Sequence, residues 1–263
     1  MNGPLLIKPL RSVRSFVRRE GRITPAQRQA LATFSADYCI EADDAPLDLD
    51  TVFGRHAPRH LEIGCGNGEA LMSLAAQHPE NDYLGIEVYR PGLGSLLRGL
   101  AREKLENVRI ITNDATVTIE CLIDDEALDL IYIFFPDPWP KKRHHKRRLI
   151  QPEFASLLRK RLKPHGRLFL ATDWEDYAQH ILITMDEAGL VNLASSQNRF
   201  APRPSWRPVS RYEKRSRTLG HRVRELIYAR ACLQTHHGPA PLLDPALSES
   251  RVRATLQTRP RGG

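Results

Sequence analysis

The sequence predicts an α/β fold in which a mostly parallel sheet carries helices on both faces. Short apolar runs alternate with helical patterns from residue 60 onward, which is typical of repeated strand–helix–strand units. A glycine-rich turn follows the first run, and the later runs end close to polar or charged residues. Parallel strands joined by helices place their carboxyl ends at one edge of the sheet, where α/β proteins bind ligands.

The same patterns predict the individual elements. Strands are predicted at 60–63, 83–88, 108–112, 129–135 and 167–172. Helices are predicted at 68–77, 92–105, 115–123, 150–162 and 175–188. Two later runs, 192–197 and 223–229, are predicted to form a hairpin that closes one edge of the sheet. Thr24-Pro25-Ala26-Gln27 is typical of a capped helix with proline in its first turn, so a further helix is predicted over 27–34.

The domain organisation follows from composition. Four segments are predicted: a basic N-terminal arm and helix at 1–40, a linker at 41–58, a catalytic domain at 59–233 and a mobile tail at 234–263. Arg11, Arg14 and Arg18 recur at helical spacing in the arm, so a short helix there could present them to phosphates; a solvated arm fits equally well. The tail lacks periodicity and contains several prolines and glycines.

Charge and cysteine usage narrow the class of protein. The 263 residues carry a formal net charge of +8 and a pI near 9.5, with cations clustered at 8–28, 141–167 and 199–230, which favours a nucleic-acid partner. The cysteines contain no CxxC pair, which argues against a zinc ribbon or a disulfide framework and predicts a cytoplasmic location; they are Cys39, Cys65, Cys121 and Cys232. No apolar run approaches the ~20 residues of a membrane span.

The stretch 129–148 has the strongest functional pattern. It begins as an apolar run, breaks at Pro136-Asp137-Pro138, and continues through Trp139 into a run of cations without an acid. A carboxylate and an indole at the end of a buried strand, beside a cationic strip, suit a base held at the strand end with its phosphates on the strip. Trp139 either stacks on that base or packs beneath the loop.

The glycine-rich turn predicts a cofactor site. Gly64, Gly66 and Gly68 allow positive φ and close approach of a ligand to the backbone, and Glu87 ends the next strand, where it can accept bonds from ribose hydroxyls. A nicotinamide dinucleotide and S-adenosylmethionine both fit such a turn. The GxGxG spacing departs from the dinucleotide pattern, and Glu62 just before the glycines suits a sulfonium or amino cation better than a pyrophosphate, so S-adenosylmethionine is favoured.

Acids therefore lie at the ends of four successive strands, as Glu62, Glu87, Asp114 and Asp137. Clustering them is costly unless a ligand rich in N–H and O–H groups satisfies them. The alternative is that each acid caps the next helix, which Asp114 and Asp137 are placed to do. Asp173 follows another strand and has the same alternative.

These motifs carry a family resemblance. LEIGCGNG, GIEV, NDA, FFPDPWPKKRHHKRR, TDW and SRYEKR together resemble the bacterial tRNA (guanine-N7-)-methyltransferase family, over about residues 11–230. The resemblance implies a Rossmann-like class I methyltransferase with a seven-stranded sheet, which uses S-adenosylmethionine to methylate N7 of guanine 46 in the tRNA variable loop. The late motif reads Ser-Arg-Tyr-Glu where many relatives have Thr-Lys-Phe-Glu, and the tail after about 235 has no counterpart.

The resemblance also implies roles for individual residues. The cofactor contacts are Glu62, Gly64, Gly66, Gly68, Glu87, Asp114 and Asp137, with Asp137 also the catalytic residue. The substrate-binding positions are Lys141, Asp173, Ser210, Arg211, Tyr212 and Glu213. The RNA-contacting strip is Arg143, His144, His145, Lys146, Arg147 and Arg148. The two histidines are expected to face RNA, because no third metal ligand lies nearby in sequence. Neither a metal, a membrane nor an obligate protein partner is expected.

Three rival functions remain at the level of sequence. A class I methyltransferase acting on another nucleobase or another RNA is the nearest, because cap-like or ribosomal guanines offer the same N7 chemistry. A non-catalytic RNA-binding protein that keeps the fold is disfavoured by the intact glycines and strand-end acids. An NAD-dependent enzyme is disfavoured by the glycine spacing and by the position of Glu62.

Overall fold

The computed structural model describes residues 21–41, 45–194 and 198–231. Its strands are β1 Cys39–Ile40, β2 Arg59–Ile63, β3 Asp82–Ile86, β4 Val108–Ile111, β5 Leu128–Phe134, β6 Leu162–Thr172, β7 Leu190–Asn192 and β8 Arg224–Arg230. Its helices are α1 Pro25–Tyr38, α2 Leu49–Phe53, α3 Glu69–Gln77, α4 Arg90–Glu103, α5 Ala115–Cys121, α6 Pro152–Arg161, α7 Glu175–Glu187 and α8 Arg211–Thr218, with a 3₁₀ helix at Lys142–Arg147. The predicted tail and the arm cations at 11, 14 and 18 lie outside the described residues.

One sheet organises these elements, in the order β1-β4-β3-β2-β5-β6-β8-β7. The first six strands of that order are parallel, and β8 pairs antiparallel with both β6 and β7. The chain moves outward from β2 through β3 to β4 and then returns to β5 on the other side of β2. This reversal opens a crevice beyond the carboxyl ends of β2 and β5, the position at which doubly wound sheets bind ligands.

The sheet has eight strands in the described chain, so the predicted count of seven was wrong by one short edge strand. The extra strand β1 has only two residues, follows α1 directly and pairs with β4 through Cys39 and Ile110. Two residues are too few to produce a periodic pattern in the sequence. The run predicted at 223–229 is confirmed as β8, but its antiparallel neighbour β7 is Leu190–Asn192 rather than 192–197, and α8 lies between the two strands in sequence, so they do not form a hairpin. Strand β8 lies inside the sheet rather than at its edge.

Two hydrophobic layers cover the sheet. Helices α3 and α4 supply one, with Leu71 and Leu97 fully buried, and α1 packs outside α4. Helices α5, α6 and α7 supply the other. Every residue of β2 and β3 is buried, including Arg59, His60 and Asp82, because helices cover both faces of the sheet there. Within the described ranges, no helix has the length and hydropathy needed to cross a membrane.

Local signals explain where several elements begin and end. Thr24 accepts a hydrogen bond from the Gln27 amide while the Gln27 side chain accepts one from the Thr24 amide, so α1 begins with the predicted cap. The predicted linker contains a helix, α2, because Asp48 caps its start and Gly54 ends it with φ of 69°. Helix α8 was not predicted, because its sequence is strongly polar and its two buried residues, Glu213 and Ser216, are polar themselves, so no apolar stripe marks it.

Candidate active site

The carboxyl ends of four parallel strands meet at one cleft. Its cavity of about 420 Å³ is lined by residues that follow β2, β3, β4 and β5, respectively Gly64, Glu87, Asn113 and Asp137. The aromatic rings of Phe134 and Phe135 form part of its wall. The cationic 3₁₀ helix adjoins this cleft, because its Arg147 guanidinium lies 5.1 Å from the ring centroid of Trp139, two residues after Asp137.

The glycine turn between β2 and α3 has the predicted backbone. Gly64, Gly66 and Gly68 have φ of 75°, 55° and 76°, in the left-handed region that glycine adopts without strain. A Cβ at Gly64 or Gly66 would meet nothing within 4 Å, so the backbone faces open space. Cys65 between them is buried, and burial together with the charges of Glu87 and Glu62 raises the pKa of its thiol.

Glu87 ties the turn to the next strand. Its Oε2 accepts a hydrogen bond from the Gly66 amide at 2.6 Å, and its Oε1 accepts one from the Tyr89 amide at 2.7 Å. Burial raises the pKa of Glu87, and the backbone donors oppose that shift. Each carboxylate oxygen can accept a second bond, so the group can hold the turn and still receive a ligand hydroxyl.

Glu62 is the buried acid that lacks a full set of partners. Its side chain is almost completely buried, and no described group donates a hydrogen bond to Oε2. Burial, followed by the charge of Glu87, raises its pKa to about 8. An unpaired carboxyl at this depth is costly unless a donor or cation is added. The amino group and sulfonium of S-adenosylmethionine are such groups, so the residues present fit this cofactor.

Asp114 caps the helix that follows it, which is the alternative role considered for it in the sequence. Its Oδ1 accepts from the amides of Thr116 and Val117, which makes it the cap of α5. The cleft is instead lined at this position by its neighbours Asn113 and Ala115. A ligand that contacts the Asp114 carboxylate therefore has to bind Oδ2, because Oδ1 accepts the two capping hydrogen bonds.

Asp137 is exposed at the cleft, and the backbone just before it is constrained. Phe135 has φ of 53°, a conformation that a bulky residue rarely adopts, and its amide donates to the Ala171 carbonyl at 2.7 Å. The Pro136-Asp137-Pro138 turn then holds Asp137 at the mouth of the cavity. Asp137 caps no helix, so the structural alternative considered for it is not realised.

Most of the strip lies in the 3₁₀ helix, in which Lys142, Arg143 and Lys146 are exposed; Lys141, just before the helix, is exposed as well. Trp139 packs beneath it: the Arg147 guanidinium lies 5.1 Å from the indole centroid, and His144 meets the ring edge-on at 5.9 Å. Partial burial and the neighbouring cations, Arg147 first, lower the pKa of His144. Of the two roles considered for Trp139, the structure shows packing beneath the loop.

Arg148 differs from the exposed residues of the strip, and its predicted contact with RNA stays a prediction. Only 2% of its surface is exposed; its Nε donates to the Pro138 carbonyl at 2.9 Å, and its guanidinium pairs with Asp176 and lies over the Tyr177 ring. A buried guanidinium that is already paired is less available to a phosphate than an exposed one. In this structure Arg148 anchors the Pro138 turn to α7.

Asp173 lies beside the cleft, attached to α8. Its Oδ2 accepts a hydrogen bond from the Ser216 hydroxyl at 2.5 Å and lies 3.4 Å from Nδ1 of His221. Helix α7 is capped at Trp174 without a side-chain bond, so Asp173 is not the N-cap considered for it. Neither Ser216 nor His221 was singled out in the sequence, because both reach Asp173 only through the fold of α8.

The Ser-Arg-Tyr-Glu segment divides into structural and exposed residues. Ser210 caps α8 by accepting from the Glu213 amide, and Glu213 is fully buried. The Arg211 amide donates to Glu69 at the start of α3, which places the two helices together. Tyr212 is half-exposed, its ring 5.0 Å from Phe135, and burial followed by the charges of Asp173 and Asp137 raises its pKa.

Arg207 connects several elements on this side of the cleft, and the sequence did not identify it as a functional or structural residue. Its guanidinium is buried, donates to Glu213 at 2.7 Å and to Glu225 at 2.5 Å, and lies over the rings of Phe134 and Phe135. Burial raises the pKa of Glu225, and Arg207 opposes that shift. This one cation thus connects α8 and β8 with the end of β5, where the loop that carries Asp137 begins. No sequence signal marks it, because it lies in a loop rich in arginine and proline.

Comparison with known proteins identifies the family. A family model described as "Putative methyltransferase" matches residues 56–226. The tRNA (guanine-N(7)-)-methyltransferase of Nitrosomonas eutropha is 50% identical over 83% of this chain and 97% of its own length. The chain belongs to the tRNA (guanine-N7-)-methyltransferase family. The family member of Alcanivorax borkumensis is 48% identical over 84% of this chain and 92% of its own length.

The fold agrees with this family assignment. The 16S rRNA methyltransferase KamB superposes with a TM-score of 0.52 over 74% of this chain and 99% of its own, at 12% identity, which shows a shared class I methyltransferase fold. The assignment confirms the family and the fold class predicted from the motifs, apart from the extra short strand. It also confirms S-adenosylmethionine as the cofactor.

Proposed function

We propose that the protein transfers the methyl group of S-adenosylmethionine to N7 of guanine 46 in the variable loop of tRNA. The observation that carries this proposal is the cleft itself, where an acid-lined cavity opens directly beside the cationic 3₁₀ helix. A base in the cavity then has its phosphates within reach of exposed lysines and arginines. A tRNA substrate and the unpaired cysteines of the described chain both favour a cytoplasmic location.

This methyl transfer requires the protein mainly to align the two reactants. When bound, S-adenosylmethionine supplies an electrophilic methyl group on a positively charged sulfur. Guanine N7 carries a lone pair and no proton, so the cleft needs no general base and has to hold N7 in line with the methyl carbon. Positive charge develops on the guanine ring, and Asp137 at the cleft with Asp173 beside it supplies negative charge nearby. Both carboxylates can also accept hydrogen bonds from guanine N1–H and the N2 amino group.

The Glu62 and Glu87 pair would hold the cofactor. Glu87 accepts hydrogen bonds from the amides of Gly66 and Tyr89 and has lone pairs left for ribose hydroxyls. Glu62 has one oxygen, Oε2, without a partner, and this oxygen can accept a hydrogen bond or pair with a cation. The open glycine backbone allows the ligand to approach closely. The cofactor-binding roles of these residues rest on this geometry.

The site experiment uses unmodified tRNA transcripts. We expect wild-type protein to methylate a transcript with guanine 46 and to leave a matched transcript with adenine 46 unmodified, and cleavage at N7-methylguanosine maps the product. Methylation elsewhere in tRNA, or of ribosomal RNA alone, would instead support the rival function on another guanine. A chain that binds tRNA but shows no saturable S-adenosylmethionine site would support the non-catalytic alternative.

Cofactor affinity is expected to depend on pH through Glu62. Because burial raises the pKa of Glu62 to about 8, the group is mostly protonated at neutral pH, whereas a bound cation favours the ionised form. Affinity for S-adenosylmethionine should therefore increase from about pH 6 to about pH 8, by up to about tenfold per unit, with release of a proton. Titration calorimetry in two buffers of different ionisation enthalpy measures both quantities.

Glu62→Gln supplies the test of that assignment. The variant should bind the cofactor more weakly and lose most of the pH dependence, because an amide has no proton to release. Glu80→Gln, an exposed carboxyl on the loop before β3, serves as the matched control. Unchanged proton release in Glu62→Gln would assign the titration to another group.

A further inference from the structure

Helix α8 presents two chemically different faces. Glu213 and Ser216 are buried against the body of the protein. Lys214 and Arg215 point outward and are exposed, and neither has a carboxylate within ion-pair distance among the described residues. The neighbouring cations of the helix differ, because Arg217 pairs with Glu213 and Arg211 with Glu69. Two adjacent cations are thus left uncompensated on one surface.

This surface adjoins the cleft. Tyr212 packs against Phe135 of the cleft wall with 5.0 Å between ring centroids, and Ser216 holds Asp173 from one turn further along the helix. Arg215 lies close enough to Tyr212 to lower the pKa of that phenol, whereas Asp173 and Asp137 raise it. The exposed cations of α8 are therefore neighbours of the residues around the proposed guanine site.

The cationic 3₁₀ helix contacts the other end of the same loop. Phe135 begins the loop that carries Asp137, and Trp139 ends it, in contact with Arg147 at 5.1 Å. One cationic helix thus meets the start of the loop through Tyr212, and the other meets its end through Trp139. The residue at the centre, Asp137, lines the cavity between them.

A nucleotide within a chain has a phosphate on each side of its base. A guanine in the cleft therefore directs its two flanking backbone segments away from the loop on both sides, and a single cationic strip neutralises only one of them. We propose that Lys214 and Arg215 form a second phosphate-binding surface, which holds the RNA backbone on the side of the bound nucleotide opposite the 3₁₀ helix. This inference rests on the proposed function for the identity of the RNA.

The test is the salt dependence of tRNA binding. Lys214→Gln/Arg215→Gln should bind unmodified tRNA about tenfold more weakly than wild type at physiological salt. The slope of log affinity against log salt should become shallower by about 1.4 to 1.8, since two phosphate contacts are lost. Fluorescence anisotropy over a salt series measures both. Lys214→Arg/Arg215→Lys, which keeps the charges, should behave as wild type.

The matched control neutralises two exposed lysines that lie just before β4 and β6. Both are therefore at the amino-terminal ends of the strands, away from the cleft. Lys104→Gln/Lys160→Gln removes the same charge and should leave the slope unchanged. A wild-type slope in the Lys214/Arg215 double variant, or an equal change in the control, overturns the inference. Methyl transfer by wild-type protein to tRNA is followed separately, so a failure of the proposed function appears there and leaves the binding comparison to decide on the surface.

Discussion

Asp137→Asn is expected to slow single-turnover methylation of tRNA by about 10²–10³-fold, the effect of removing one charge-stabilising group from a preorganised site. The carboxylate lies at the mouth of the cavity, where its negative charge opposes the positive charge that develops on guanine. Affinity for S-adenosylmethionine should change much less, because Glu62 and Glu87 remain. Rapid-quench measurement with enzyme in excess of tRNA isolates the chemical step.

The pH profile separates positioning from proton abstraction by Asp137. Because guanine N7 has no proton to lose, the single-turnover rate at saturating cofactor should not follow one deprotonation near neutral pH. A rate that does follow such a deprotonation, and loses that dependence in Asp137→Asn, would make Asp137 a base and contradict the mechanism. The matched control is Asp124→Asn. Asp124 is an exposed acid just before β5, at the amino-terminal end of that strand, so this variant should retain the wild-type rate.

Arg207→Met is expected to lower the free energy of unfolding by about 3–5 kcal/mol, because it leaves buried carboxylates without their cation. Glu225 has Arg207 as its side-chain partner in the described chain, whereas Glu213 also pairs with Arg203 and Arg217. Urea denaturation followed by circular dichroism measures the loss. Arg199→Met, which breaks the more exposed pair with Asp186, should cost no more than about 1 kcal/mol.

A second substitution distinguishes an orphaned charge from lost packing. Arg207→Met/Glu225→Gln removes the unpaired carboxylate as well, so it should recover part of the stability lost in Arg207→Met. A loss of less than about 1 kcal/mol in Arg207→Met would show that the network is not a structural anchor. Since Arg207 also holds α8 against the cleft wall, the single variant should lose affinity for tRNA in parallel.

The parts of the site that sequence predicted are those with short-range signals. The short strand β2 followed by Gly64, Gly66 and Gly68 indicates a strand, a turn and a helix within a dozen residues. Parallel connections then place Glu87 and Asp137 at the same edge as the glycines. Such reasoning needs only the order of the elements and the direction of the strands.

The parts that sequence could not predict depend on distant contacts. Arg148 has the same side chain as its neighbour Arg147, and it becomes buried because Asp176 and Tyr177 of α7 pack against it. Arg207 resembles the other arginines of its loop until Glu213 and Glu225 approach from α8 and β8. In both cases the decisive partner comes from another element, and only the folded chain shows which cation is buried.

The buried thiol in the glycine turn affects how the protein tolerates oxidative stress. Thiolates, rather than thiols, react with peroxides and alkylating electrophiles. Because burial and two nearby acids keep Cys65 protonated and covered, the residue is inert although it lies in the exposed glycine turn. Among the thiols of the described residues, Cys121 on α5 is the exposed one, so oxidants should modify Cys121 before Cys65.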